Sequence, residues 1–269
     1  MARRVIAVAL LAVVLGGCGV VPPALTPAER GRRLAERTGC LACHGPGGRG
    51  GVANPGRTDR TVPGFGDDVM MFAKDRDAVR EWIEDGVPRA RAASVTWRAQ
   101  RDRGTLRMPA FERRLGARQI ADLVEFVEAS AGRPEPGDSL ARLGLERTRT
   151  LGCAGCHGPG GRLERENPGS LRGYVPAWDG PDFPDLVRDR AEFDEWVGRG
   201  LSRRLAGNAL ARFFIRRAVL KMPAFERHLE PGDEDALWAY VTWLRSRPGH
   251  TGGEREAAAT SSTDEPRRR

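Results

Sequence analysis

Lysine is almost missing from this chain: Lys74 and Lys221 are the only two among 44 basic residues, so arginine carries the positive charge. Tyrosine (2), histidine (4), methionine (5) and cysteine (5) are also scarce in 269 residues. Past residue 18 no apolar run is long enough to cross a bilayer as a helix, which excludes a membrane bundle. The net charge of +8 is spread as +2 over residues 1–18, +4 over 19–135, +1 over 136–246 and +1 over 247–269. No segment therefore concentrates the basic face that nucleic-acid binding requires, and nucleic acid is excluded as a partner. Convincing strand-like alternation is absent as well, which predicts an all-α fold with long loops.

What the chain has begins with one apolar run. Arg3 and Arg4 precede a wholly apolar stretch from Val5 to Leu15, and Gly16-Gly17-Cys18 follow. A basic start and a short apolar segment make a signal peptide over 1–17. Leu15-Gly16-Gly17-Cys18 resembles the bacterial lipobox, which implies cleavage before Cys18 and a lipid thioether on its sulfur. The multiple acyl chains of such an anchor hold a protein stably on a membrane. Residues 18–25 then form a tether, and the expected location is the periplasmic face of a bacterial membrane.

The rest of the chain repeats at an offset near 113, a relation that governs any local reading. Gly39-Cys40-Leu41-Ala42-Cys43-His44-Gly45-Pro46-Gly47-Gly48 recurs as Gly152-Cys153-Ala154-Gly155-Cys156-His157-Gly158-Pro159-Gly160-Gly161. Asn54-Pro55-Gly56 recurs as Asn167-Pro168-Gly169, Glu81-Trp82 as Glu195-Trp196, and Met108-Pro109-Ala110-Phe111 as Met222-Pro223-Ala224-Phe225. The repeat predicts two similar domains, 26–130 and 139–246, a linker at 131–138 and a disordered tail at 247–269. Each domain holds three main helices. The first starts at Thr26 as N-cap, with Pro27 next and Glu29 completing a capping box; its counterpart starts near Asp138. A second helix near 75–85 and 189–199 ends at Gly86 and Gly200. The last carries Ile120, Leu123, Val124 and Val127, or Leu237, Tyr240, Val241 and Leu244, as a core-facing stripe.

Cys-x-x-Cys-His is the attachment signature of c-type haem. Two thiols add to the vinyl groups, and the following imidazole turns onto the iron. Two short disulfides, a redox dithiol or a four-thiolate zinc site use the same cysteines, but none explains the adjacent histidines. A low-spin electron-transfer haem needs a second axial ligand, and thioether sulfur favours ferrous iron. Met108 and Met222 lie 64 and 65 residues after His44 and His157, each before Pro-Ala-Phe and the last helix. His228 and His250 are the remaining histidines and read as surface residues, Met70 and Met71 as packing, and Trp82 and Trp196 as core.

On these motifs the chain resembles the diheme class I cytochrome c lipoproteins. The resemblance implies two covalently bound haems c, thioether-linked at Cys40 and Cys43 and at Cys153 and Cys156. It implies axial ligation by His44 with Met108 and by His157 with Met222, and a first helix crossing the last. Pro55 and Pro168 would offer backbone carbonyls to the second imidazole nitrogens, contacts that orient a metal-bound histidine. Loops 87–107 and 201–221 are unusually long and arginine-rich; a solvated face, haem propionates or an acidic partner would each account for them. The implied activity is single-electron transfer between redox proteins, with no catalytic residue. Two other classes stay open: an electron-transfer subunit of a larger oxidoreductase, and a catalytic diheme enzyme of peroxidase or thiosulfate-dehydrogenase type. The lipobox reading has a direct check: Cys18→Ala moves the protein from the membrane fraction to the soluble one, and unchanged sedimentation refutes it.

Overall fold

The computed structural model describes residues 25–66 and 69–247. The leader, Cys18, His250 and nearly all of the expected tether and tail lie outside the described residues. Among those described, no helix is long and apolar enough to cross a membrane. Among the described residues the fold is all-α apart from two short strands, β1 (Arg165–Glu166) and β2 (Tyr174–Val175), which pair antiparallel with Arg165 opposite Val175.

Three principal helices build each half: α1 (Pro27–Arg37), α2 (Arg76–Asp85) and α3 (Ala117–Ser130), then α4 (Ser139–Thr150), α5 (Arg190–Arg199) and α6 (Asp233–Arg245). Their ends follow the sequence signals. Thr26 Oγ1 accepts the Glu29 amide at 3.1 Å, Asp138 Oδ1 accepts that of Ala141 at 2.9 Å, and Gly86 and Gly200 close α2 and α5 in the left-handed region. The expected capping box at Glu29 is only half present. Its carboxylate accepts the backbone amide of Glu164 in the other half at 2.7 Å instead.

The first and last helices of each half cross in backbone contact. A Cβ at Gly31 would lie 1.9 Å from the Asp122 carbonyl oxygen, and one at Gly144 would lie 1.9 Å from that of Ala236. No other residue type allows so close an approach. Around the crossing, Leu34, Ile120, Val124, Phe126 and Val127 form one buried cluster, while Leu237 and Val241 pack with Phe183, Phe193 and Val197 in another. Bidentate ion pairs brace each crossing, Arg30 with Asp122 and Arg147 with Asp233.

The stretches read as loops at 87–107 and 201–221 are helical hairpins. Short helices Arg89–Ala93 and Val95–Arg103 occupy the first, and Arg203–Gly207 and Ala209–Arg217 the second. Ser94 Oγ caps by accepting the Trp97 amide and Asn208 Oδ1 by accepting that of Ala211, local bonds that favour helix starts over loops. The repeated Glu-Trp pairs anchor these hairpins. Glu81 Oε2 accepts the Arg89 amide and Glu195 Oε2 that of Arg203, while both tryptophans donate to backbone carbonyls, of Phe72 and Leu186, at 2.9 Å. Arg98 and Arg212 donate to the carbonyls of Ala92 and Ala206, so part of the basic charge closes short helices.

Gly144→Ala therefore destabilises the protein by at least about 1–3 kcal/mol, the usual cost of forcing atoms into a filled contact. Gly207→Ala, which meets nothing within 4 Å, leaves denaturant unfolding unchanged.

Candidate functional site

Both Cys-x-x-Cys-His segments fold as short helices directly after the first helix of their half, Cys40–His44 after α1 and Ala154–His157 after α4. Cys40, Cys43, Cys153 and Cys156 are free thiols. Among the described residues no group of three or more His, Cys, Asp or Glu side chains is placed to hold a metal ion, so the cysteine pairs do not converge on a thiolate zinc site.

Each histidine is held at two points. His44 Nδ1 lies 2.7 Å from the Pro63 carbonyl oxygen, and His157 Nδ1 lies 3.2 Å from that of Pro176. This corrects the expected acceptors. Pro55 and Pro168, eleven residues after their histidines, hold other groups: their carbonyls accept the amides of Thr105 and Val219. The proline nineteen residues after each histidine takes the imidazole, because the intervening turn brings the chain back along the ring. Phe65 packs on His44 with centroids 4.6 Å apart, Trp178 on His157 at 5.0 Å, and Phe126 and Tyr240 of the last helices meet those rings edge-on. With Nδ1 committed to a carbonyl, Nε2 of each imidazole is the nitrogen left for a metal. Burial lowers the pKa of both histidines, that of His157 to about 4, so each ring is neutral near pH 7.

The methionine segments are pinned by residues that the sequence shows only as repeats. Asn54 makes a two-way pair with the Leu106 backbone, Nδ2 donating to the carbonyl at 3.0 Å and Oδ1 accepting the amide at 2.9 Å. Asn167 does the same with Leu220, at 3.0 and 2.8 Å. Each asparagine is buried, and each pinned leucine stands two residues before its methionine. On the other side the α2 and α5 cap glycines touch the methionine backbone: a Cβ at Gly86 or Gly200 would lie 2.5 or 2.4 Å from the carbonyl oxygen of Met108 or Met222. The Phe111 amide donates to the Ile83 carbonyl and that of Phe225 to Val197, tying the end of each block to the same helix.

In the second half these constraints enclose a cavity of ≈ 540 Å³ with Cys153, Cys156, His157 and Met222 all on its wall. Leu151, Phe183, Phe193 and Val197 make it largely apolar, while Asn167, Arg172 and Lys221 are polar wall residues. An apolar chamber with two thiols, a neutral imidazole, a thioether and cations suited to carboxylates fits haem in its donor set. In the first half Cys40, Leu41, Trp82 and Met108 pack against one apolar cluster. His228 is exposed and does not line the cavity.

Comparison with known proteins bears on the first half of the chain. Residues 28–131 match the family model described as Cytochrome c, which marks a cytochrome c domain in the first half. No curated protein matches the chain. One solved structure, a reducing HAO-like protein complex of Kuenenia stuttgartiensis, is 16% identical over 83% of this chain and 98% of its own, with a TM-score of 0.27.

Removing the asparagine pin takes away the partners of the Leu220 amide and carbonyl, at about 0.5–1.5 kcal/mol for each hydrogen bond lost. Asn167→Ala accordingly lowers stability by that order and speeds hydrogen exchange at the Leu220 amide. Unchanged exchange there shows that the pin is dispensable.

Proposed function

We propose that this chain, whose residues 28–131 form a cytochrome c domain and bring that family's haem-based electron transfer with them, is a membrane-anchored, periplasm-facing diheme electron carrier. The observation that supports it most is the cavity wall in the second half. Cys153, Cys156, His157 and Met222, which sequence alone pairs by repetition with Cys40, Cys43, His44 and Met108, share one chamber there.

When bound, haem c supplies an iron that accepts and releases one electron. The remaining work falls to the protein. Cys40, Cys43, Cys153 and Cys156 carry the thioether links. His44 and His157 present Nε2, their orientation fixed by the Pro63 and Pro176 carbonyls. Met108 and Met222 would give the iron its thioether ligands, on segments whose backbone is held between an asparagine pin and a cap glycine. A fixed ligand set lowers the structural change per electron, which is what a carrier needs and an open-site enzyme does not. One electron enters from a donor redox protein and one leaves to an acceptor, with no bond made or broken in the chain. The Cys18 lipid would keep these exchanges near the membrane at high effective concentration.

Pyridine haemochrome analysis of the purified protein gives two haems per chain; bound zinc in place of haem refutes the proposal. Met108→Ala and Met222→Ala each remove about half of the weak red methionine-to-iron band. If either variant keeps the whole band, its methionine is not a ligand.

A further inference from the structure

We infer that the two proposed redox sites exchange electrons through one built contact, in which Arg162, Leu163 and Glu164 of the second half are seated on α1 and α3 of the first; this rests on the two-haem reading above. The three residues follow directly on the Pro159–Gly161 turn of the second attachment motif. Arg162 is 6% exposed; its Nη2 donates to Glu125 Oε2 at 2.7 Å, its Nη1 to the Arg133 carbonyl at 2.8 Å, and its Nε to Asp179 Oδ2 at 3.2 Å. Leu163 is buried in the first half's apolar cluster, and the Glu164 amide donates to the fully buried Glu29 carboxylate.

Burying a guanidinium costs several kcal/mol unless its partners are well placed. Arg162 finds three, one of them, Glu125, itself held by Arg76 of α2 at 2.6 Å. Such a contact tolerates only one relative position of the halves, and a rate of electron tunnelling depends steeply on that position. The contact has no counterpart in the other direction. Arg49 and Gly50, the equivalents of Arg162 and Leu163, are exposed, and Arg142 and Ala239 stand where α1 and α3 carry Glu29 and Glu125. It is therefore a single joint, made in one direction only.

A continuous histidine-side route runs through this joint. From His157 five covalently linked residues lead to Arg162, a 2.7 Å hydrogen bond crosses to Glu125, and Phe126 beside it meets Phe65, whose ring lies against His44. Along it one site is oxidised and the other reduced by a single electron, with no proton or bond exchanged. Arg162 acts as a positioning residue.

The test uses the full chain with its haems, half reduced, and NMR exchange spectroscopy on the haem methyl signals at several protein concentrations. Arg162→Met slows the concentration-independent exchange by at least about tenfold, within the order that a misplacement of about 1 Å has on a geometry-dependent step, while haem count and the red band stay unchanged. Arg162→Lys, which keeps the charge without the three-way fork, falls between. Should Arg162→Met fail to load haem, Glu125→Gln, which keeps the shape and weakens the pair, decides by slowing exchange. Wild-type exchange at full haem content in Arg162→Met, or in Glu125→Gln where that variant decides, overturns the joint alone. A wild-type count below two haems overturns the underlying reading, and the joint with it.

Discussion

The contact that the rest of each half depends on is the crossing of its first and last helices at a glycine. At Gly31 and Gly144 the backbones meet so closely that no Cβ fits, and the aromatic of the last helix sits immediately beside: the hypothetical Cβ lies 2.8 Å from Cβ of Phe126 or Tyr240. That aromatic turns its edge to Phe65 or Trp178, which lies on the attachment histidine. The position of an imidazole is thus transmitted from a helix crossing through two rings. Packing of this kind is directional because ring pairs favour offset or edge-on arrangements.

On the methionine side the scaffold is made of hydrogen bonds. A loop placed against the cavity cannot rely on apolar burial alone, since its own backbone groups need partners. Asn54 and Asn167 supply both a donor and an acceptor to one residue, imitating a strand pair across more than fifty residues of sequence. The cap glycines of α2 and α5 close the other side. Both devices recur in the two halves, so the architecture around each proposed ligand set is duplicated along with the motifs.

What is not duplicated is the joint between the halves. Glu29, legible as part of a capping box, is diverted to the Glu164 amide, and Arg162 enters a buried ion pair with Glu125. Both replace a local interaction or a solvated side chain by a buried one, which is tolerated where the buried charge is paired, as Arg162 is with Glu125 and Asp179.

The principal helices and the helix ends at Thr26, Asp138, Gly86 and Gly200 were legible in the chain. Thr26-Pro27, Gly86, Gly200 and the Ile120 to Val127 stripe act locally, through bonds and faces set within a few residues. The hairpins at 89–103 and 203–217 escaped that reading, although Ser94 and Asn208 carried their caps, because the dense arginines look like solvated loop until their carbonyl and glutamate partners are known. The imidazole acceptor was equally hidden: each half repeats three prolines within nineteen residues after its histidine, and spacing alone cannot say which carbonyl a folded turn brings to Nδ1. Sequence by itself determined the principal helices and the repeated motifs on which the proposed haem chemistry rests, because both are written in residues close together along the chain. Tertiary structure alone decided which backbone groups orient that chemistry and how Arg162 joins the halves, since those contacts link residues 19 to 135 positions apart whose pairing depends on the path of the folded chain.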